Sequence, residues 1–176
     1  LTTSMSTAGP STLPGIDLRP VTEADWPQLR RWLRRHDVQA WLGPAPALEA
    51  EITLAMGTPS ALCRMIEADG LAIGYAHAVD AGLWQGGRPD DLPAGTYDLD
   101  LFIASDAHRG RGLGSEAVRL LVGEVFSTTL ALAISVFPPI RNERAVRAYE
   151  KAGFRWQRVW HDPVLGPHWM MLRHRD

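Results

Sequence analysis

Cysteine is almost missing from this chain: Cys63 is the single one among 176 residues. One thiol cannot close an internal disulfide, which fits a reducing cytoplasm. Cys63 lies in the apolar stretch Ala61-Leu62-Cys63-Arg64-Met65-Ile66, where a small buried hydrophobe is expected rather than a nucleophile. No apolar run approaches the ~18 residues of a membrane-crossing helix, so no membrane partner is expected. Long basic runs are absent and the net charge is −2. Nucleic acid is therefore a poor partner, because a phosphate backbone is held by clustered Lys and Arg. The 6 histidines are spread without metal-ligand spacing, so no metal is expected. Internal repeats and an inter-domain linker are missing as well. Residues 1–15 are rich in Ser, Thr, Pro and Gly and lack the charged start and apolar middle of a signal peptide. They are expected to form a flexible tail ahead of one domain over residues 16–176.

What is present suffices for a packed core: 45% of the residues are hydrophobic, which excludes wholesale disorder. Alternation in Ile16-Asp17-Leu18-Arg19-Pro20 predicts a short strand. Thr22-Glu23-Ala24-Asp25 has the pattern of a capping box, opening a helix to about Arg35 with Trp26, Leu29, Trp32 and Leu33 on one face. A second helix is expected over Ala47 to Met56. Leu62 to Glu67 and Leu71 to Val79 pair as a hairpin through Ala68-Asp69-Gly70. Residues 80–96 have no period and are expected to form a functional loop. Tyr97 to Ala104 is a central strand, Leu113 to Phe126 a helix, and Leu130 to Phe137 another strand. Asn142 caps a helix through Ala152, which Gly153 ends. Phe154 to Trp160 and His168 to Arg173 are the closing strands. Elements mixed in this order predict an α/β (α+β) fold with a mixed central sheet flanked by helices.

Between the central strand and its helix stands Arg109-Gly110-Arg111-Gly112-Leu113-Gly114. A glycine-rich turn at a helix start turns several N–H groups toward one concavity, with the positive end of the helix dipole behind them. Phosphate is the expected occupant. The three glycines permit positive φ and close backbone approach, and the two arginines add charge.

Three segments together resemble the GNAT superfamily of acetyl-CoA-dependent N-acetyltransferases. Arg109 to Gly114 is similar to its Arg/Gln-x-x-Gly-x-Gly/Ala loop. Asn142-Glu143-Arg144-Ala145-Val146-Arg147-Ala148-Tyr149 is similar to its Asn-x-x-Ala-x-x-x-Tyr helix, and Glu150-Lys151-Ala152-Gly153-Phe154 to the turn that follows. Each segment alone is weak; in this order they are specific. The resemblance is nearest to bacterial aminoglycoside 6′-N-acetyltransferases, through Val38-Gln39-Ala40-Trp41-Leu42-Gly43, Gly74-Tyr75-Ala76, and Asp100 ten positions ahead of Gly110. One departure is that Phe137-Pro138 stands where those enzymes often have Asp-Pro, so one acidic contact to a cationic sugar is missing.

The resemblance implies acetyl-CoA as donor, with its pyrophosphate held by Arg109, Gly110, Arg111, Gly112, Leu113, Gly114 and Ser115. Its pantetheine arm would lie by Asn142 and by the central strand at Phe102 and Ile103. Tyr149 would protonate the departing thiolate, and Asp100 would be the general base for a cationic amine. A main-chain N–H around Leu101 to Ile103 would hold the oxyanion. Strand alternation puts Asp98 on the face of Asp100, where two carboxylates suit a polycation and raise each other's pKa. Trp41, Asp80, Trp84, Asp90 and Asp91 are further candidates for the acceptor cleft, with the ammonium groups of the substrate in view. His161 and Asp162 are a candidate polar pair, and His108 an exposed bystander. The expected reaction is direct acetylation of an aminoglycoside 6′-amine in a ternary complex, in the cytoplasm, by a monomer or homodimer. The alternatives are a siderophore precursor or protein N-terminal amine as acceptor, and a non-catalytic acetyl-CoA-binding module.

Overall fold

A computed structural model describes residues 13–176. Twelve residues of the expected tail therefore lie outside the described residues, whereas Gly15 donates its N–H to Asp69 at 2.9 Å. The elements run β1 (Ile16–Pro20), α1 (Trp26–Leu33), α2 (His36–Leu42), α3 (Ala45–Met56), β2 (Leu62–Ala68), β3 (Leu71–Asp80), β4 (Thr96–Ile103), α4 (Leu113–Thr128), β5 (Ala133–Val136), α5 (Glu143–Lys151), β6 (Arg155–Asp162) and β7 (Gly166–His174). They build one seven-stranded sheet in the order β1-β2-β3-β4-β5-β7-β6. Only β4 and β5 run parallel. The other neighbours are antiparallel, so the sheet is mixed, as the sequence predicts.

Strand alternation sorts the core into two layers. On one face α1, α2 and α3 cover Met65, Tyr75 and Val79 with Trp26, Leu29, Trp32, Leu33 and Ile52. On the other, α4 and α5 cover Ala76, Ala78, Leu99 and Ile134 with Leu113, Leu121, Val125 and Tyr149. The opening helix differs from expectation in one respect. The Thr22 N–H bonds to Asp25 at 2.8 Å, and the turn it starts is a 3-10 turn, Glu23–Asp25. Pro27, in the first turn of α1, then leads into the α-helix. A second short helix, α2, carries the Trp41 segment. The fifth strand is shorter than its β-rich run, because Leu130 lies 93% exposed ahead of it.

The divergence of β4 from β5 creates the site. Their ladder covers Thr96–Asp98 against Ala133–Ser135 only. After Val136 come Phe137, Pro138 and Pro139, and proline has no N–H to continue a ladder. The chain follows β7 instead: Trp169 donates to the Pro138 carbonyl at 2.9 Å and Ile140 to the Pro167 carbonyl at 3.2 Å. Beyond Asp98, β4 keeps β3 as its neighbour and faces a gap on its other edge.

Candidate active site

The free edge of β4 follows from one hydrogen bond. Ala104 donates to Ile73 at 2.7 Å, which fixes Phe102 and Asp100 as the residues whose main chains face β3. Leu101 and Ile103 then present theirs to the gap. The Leu101 N–H is met there by the Asp100 side chain, Oδ1 accepting at 2.8 Å. Arg109 Nε donates to the Ile103 carbonyl at 2.8 Å. Of the main-chain N–H groups around Leu101 to Ile103, the register leaves those of Leu101 and Ile103 facing away from β3.

At the C-terminal end of β4, Gly112 takes φ +80 and stands at the N-cap of α4. Glu116 is the first residue to bond back, to the Gly112 carbonyl at 3.2 Å. The N–H groups of Leu113, Gly114 and Ser115 thus have no acceptor within the helix, which leaves a seat for an anion. Gly110 also needs positive φ, at +70, whereas Gly114 does not, contrary to the reading of all three glycines as φ-bearing. Close approach is the remaining reason for Gly114, whose added Cβ would meet only Ile103 at 3.9 Å. The Arg109 side chain is turned away from this seat: besides Ile103 it pairs with Asp37 and, at 3.0 Å, with Asp106. It clamps the turn to α2 and leaves Arg111, exposed, and Arg144, whose guanidinium stands 3.7 Å from a Cβ built on Gly110, as the nearby cations. Arg144 was missed in the sequence because it sits on α5, far from the turn. His108 is half-buried, its Nδ1 2.7 Å from the Ser105 hydroxyl.

The gap opens into a cleft with about 110 Å³ of free space. Asp100, Leu101, Asn142 and Tyr149 form its inner wall, and Trp41, Glu51, Arg88, Phe137, Trp160 and His168 stand around them. Asn142 caps α5 by accepting the Ala145 N–H at 3.2 Å, and its amide keeps two donors beyond that bond. Tyr149, two turns on, is buried with its ring against Phe154. Burial, with Asp100 and Asp98 nearby, pushes its phenol well above the usual value, so it holds its proton. Burial acts oppositely on the carboxyls. It raises the Asp100 pKa to about 7, with the Asp98 charge adding to it and Arg88 opposing. Glu51 is raised chiefly by burial too.

Other expected residues lie elsewhere. Asp98 does not line the cleft: it is 1% exposed, accepts from Arg88 Nε at 2.9 Å and from the Ser135 hydroxyl at 3.1 Å. It acts on Asp100 through its charge only. Asp80 caps a 3-10 turn by accepting the Gly82 N–H at 2.8 Å. Trp84 packs against His77 on the α1–α3 side, ring centroids 5.8 Å apart. Its Nε1 is buried without a hydrogen bond, though near enough to Asp98 to favour that carboxylate. Phe102 packs on Trp32 and Tyr75, so its side chain belongs to the core as its main chain belongs to β3. Asp90 and Asp91 are exposed, and Asp91 ties the loop to β6 through Arg158 at 2.7 Å. His161 is exposed; Asp162 lines the cleft, its Oδ1 accepting the Val164 and Leu165 amides. The loop over residues 80–96 does reach the site, but through Arg88. Among the described residues, no group of three or more His, Cys, Asp or Glu is placed to hold a metal ion.

Comparison with known proteins agrees with this geometry. A family model described as an acetyltransferase (GNAT) domain matches residues 21–161. Aminoglycoside N(6′)-acetyltransferase type 1 of Klebsiella pneumoniae is 34% identical over 153 residues, spanning 81% of this chain and 75% of that protein. The crystal structure of aminoglycoside acetyltransferase AAC(6′)-Ib with coenzyme A and kanamycin has a TM-score of 0.79 at 32% identity, covering 92% of this chain and 95% of that one. Mycobacterium smegmatis RimJ, solved with CoA-disulfide, has a TM-score of 0.70 over 90% of this chain and 81% of its own. At 15% identity, that likeness is one of fold alone.

Proposed function

Because the chain belongs to the GNAT acetyltransferase family, we propose that it acetylates the 6′-amine of an aminoglycoside in the cleft beside Asp100. The chain is an N-acetyltransferase and acetyl-CoA is its donor. The acceptor reading rests on one observation: a half-buried Asp100 with a pKa of about 7, in a cleft that also holds Glu51, Asp162, Trp41 and Trp160. Carboxylates and aromatic faces are what a polycationic sugar needs. The amine and aminoglycoside acceptors of the relatives fit it.

The residues divide the work. The α4 first-turn amides with Gly110 and Gly112, helped by Arg111 and Arg144, hold the diphosphate. Acetyl-CoA, when bound, supplies an activated acetyl thioester. Asp100 holds the acceptor ammonium, takes its proton, and so frees the lone pair for direct attack. A base with a pKa near the working pH is ionised often enough to act and basic enough to be useful. In releasing Leu101 to the substrate, Asp100 also frees an N–H for the charge that grows on the acetyl oxygen, beside that of Ile103. Tyr149 keeps its proton until a thiolate forms next to it. No residue of the chain is acylated on this route.

We place the reaction in the cytoplasm, where acetyl-CoA is available, and assign it to one domain over residues 16–176, as a monomer or homodimer. Among the described residues, no helix is long and apolar enough to cross a membrane. The amide product carries no charge, so an acetylated drug loses that amine's ionic contacts with ribosomal RNA. A thiol-release assay with kanamycin or tobramycin, a hydroxylamine siderophore precursor and short peptides tests the reading. Turnover is expected with the aminoglycosides. Turnover with peptide alone would overturn the acceptor assignment.

A further inference from the structure

The acceptor cleft holds a cation among its carboxylates. Arg88 comes from the loop after β3, and its guanidinium stands 5.9 Å from the Trp84 ring and 5.2 Å from that of Phe137. Nε is held by Asp98 at 2.9 Å and Nη1 by the Gly87 carbonyl at 2.8 Å. Asp98 is itself fixed by Ser135. A side chain fastened at both nitrogens and flanked by two rings is a rigid feature of the wall. Its remaining nitrogen, Nη2, has no hydrogen-bond partner among the described residues. Phe137, which meets Trp160 at 5.2 Å, gives that part of the cleft no carboxylate of its own.

On these grounds we infer that Arg88 is a specificity-determining residue: its Nη2 donates to a substrate hydroxyl near Phe137, and its charge turns away a second ammonium there. The inference rests on the aminoglycoside reading above and narrows it. A guanidinium has donors and no acceptor, so a hydroxyl oxygen satisfies Nη2 while an ammonium cannot. Like charges brought together in a partly desolvated wall are costly. Asp98 offsets part of that repulsion, yet it lies behind Arg88, 1% exposed, and offers the acceptor nothing. Acceptors with a hydroxyl elsewhere on the ring that bears the reacting aminomethyl group are therefore favoured over those with an amine in that place.

Kanamycin A and kanamycin B differ in this way, by a hydroxyl against an amine on the ring that carries the 6′-amine. Wild-type enzyme should show a kcat/KM at least about tenfold higher for the hydroxyl compound, mostly through KM. Arg88 alone should not be deleted, because Asp98 would be left buried and unpaired. Arg88→Gln combined with Asp98→Asn removes both charges together and should bring the ratio to within about twofold of unity. Arg88→Lys, keeping the charge, should preserve most of it. Any change these variants make to Asp100 alters both acceptors alike and leaves the ratio unmoved. Equal turnover of the two compounds by wild type, or a ratio untouched in the double variant, would overturn the role of Arg88 alone. No turnover of either compound would overturn it together with the aminoglycoside reading.

Discussion

The two halves of the site are built by opposite means. The proposed phosphate seat is main chain, local and contiguous: two glycines with positive φ and the first turn of α4, all within residues 109–115. The acceptor cleft is side chain and dispersed: Trp41 from α2, Glu51 from α3, Arg88 from a loop, Asp100 from β4, Phe137 after β5, Trp160 and His168 from the last hairpin. β4 joins the two, lining the cleft and leading into the seat. A backbone seat grips a group that never varies, whereas a wall of side chains from six segments can be altered one residue at a time without disturbing it. Donor binding and acceptor choice should therefore respond to different substitutions.

The sharpest break between the halves is expected at Asp100. On the proposed mechanism Asp100→Asn removes a base that works in its ionised form, so turnover should fall by on the order of 10²-fold or more. Coenzyme A affinity should stay unchanged, because no part of the phosphate seat touches this side chain. In the wild type the rate should rise as pH increases through about 7, where the Asp100 carboxyl loses its proton. Burial raises that midpoint and Asp98 adds to it, and the variant should lose this limb. A variant with the same pH–rate curve as wild type would remove Asp100 from the chemistry.

Behind the acceptor side lies a smaller, more apolar pocket, and His77 lines it opposite Asp100 in the β3–β4 register. Its Nδ1 is 3.1 Å from the Tyr75 hydroxyl. Burial, then the Arg88 charge, lowers its pKa to about 4 from the usual 6.5. The unfolded chain thus takes up a proton first as pH falls. Stability tied to His77 is complete above pH about 6.5 and is lost down to about 4, roughly 3 kcal/mol in all. The raised Asp100 acts with the opposite sign, since the folded state holds that proton more tightly. Comparing wild type with His77→Gln isolates the histidine. Denaturant midpoints should converge between pH 7 and 4, with wild type losing the larger amount; parallel curves would mean that His77 is not held neutral.

The contrast also explains what the sequence disclosed. A contiguous seat is written in neighbouring letters, so Arg109 to Gly114 pointed to phosphate directly, and the hairpin and α5 followed from Asp69-Gly70 and from Asn142 with Gly153. The cleft was legible mainly where one strand or helix carried it, in Trp41, Asp100, Asn142 and Tyr149. Glu51 and Arg88 drew no reading, because nothing local says that α3 and that loop meet at one cleft. Asp98 misled for a related reason: alternation gives the face a residue shares but not what stands in front of it, and here that is Arg88. The split between β4 and β5 was present in Pro138-Pro139 all along. Its consequence needed the knowledge that β4 is the strand left behind.

The finest distinction lies within the seat itself, between Gly112 and Gly114. At φ +80, an alanine in place of Gly112 is strained by about 1–2 kcal/mol, although its Cβ would meet nothing within 4 Å. Gly114 sits inside α4 with ordinary helical backbone, and its Cβ would make a normal contact with Ile103 at 3.9 Å. Alanine there should stabilise the free protein slightly, by up to ~1 kcal/mol, because it is the better helix former. Both substitutions place a methyl group beside amides that must approach a diphosphate. Melting temperature should thus fall for Gly112→Ala and hold or rise for Gly114→Ala, while calorimetry finds coenzyme A bound more weakly by both. Stability and affinity moving in opposite directions at Gly114 is the signature of close approach rather than of backbone strain. Unchanged affinity in Gly114→Ala would mean that the diphosphate does not pass over this turn, and the seat would have to be sought elsewhere along the β4 edge.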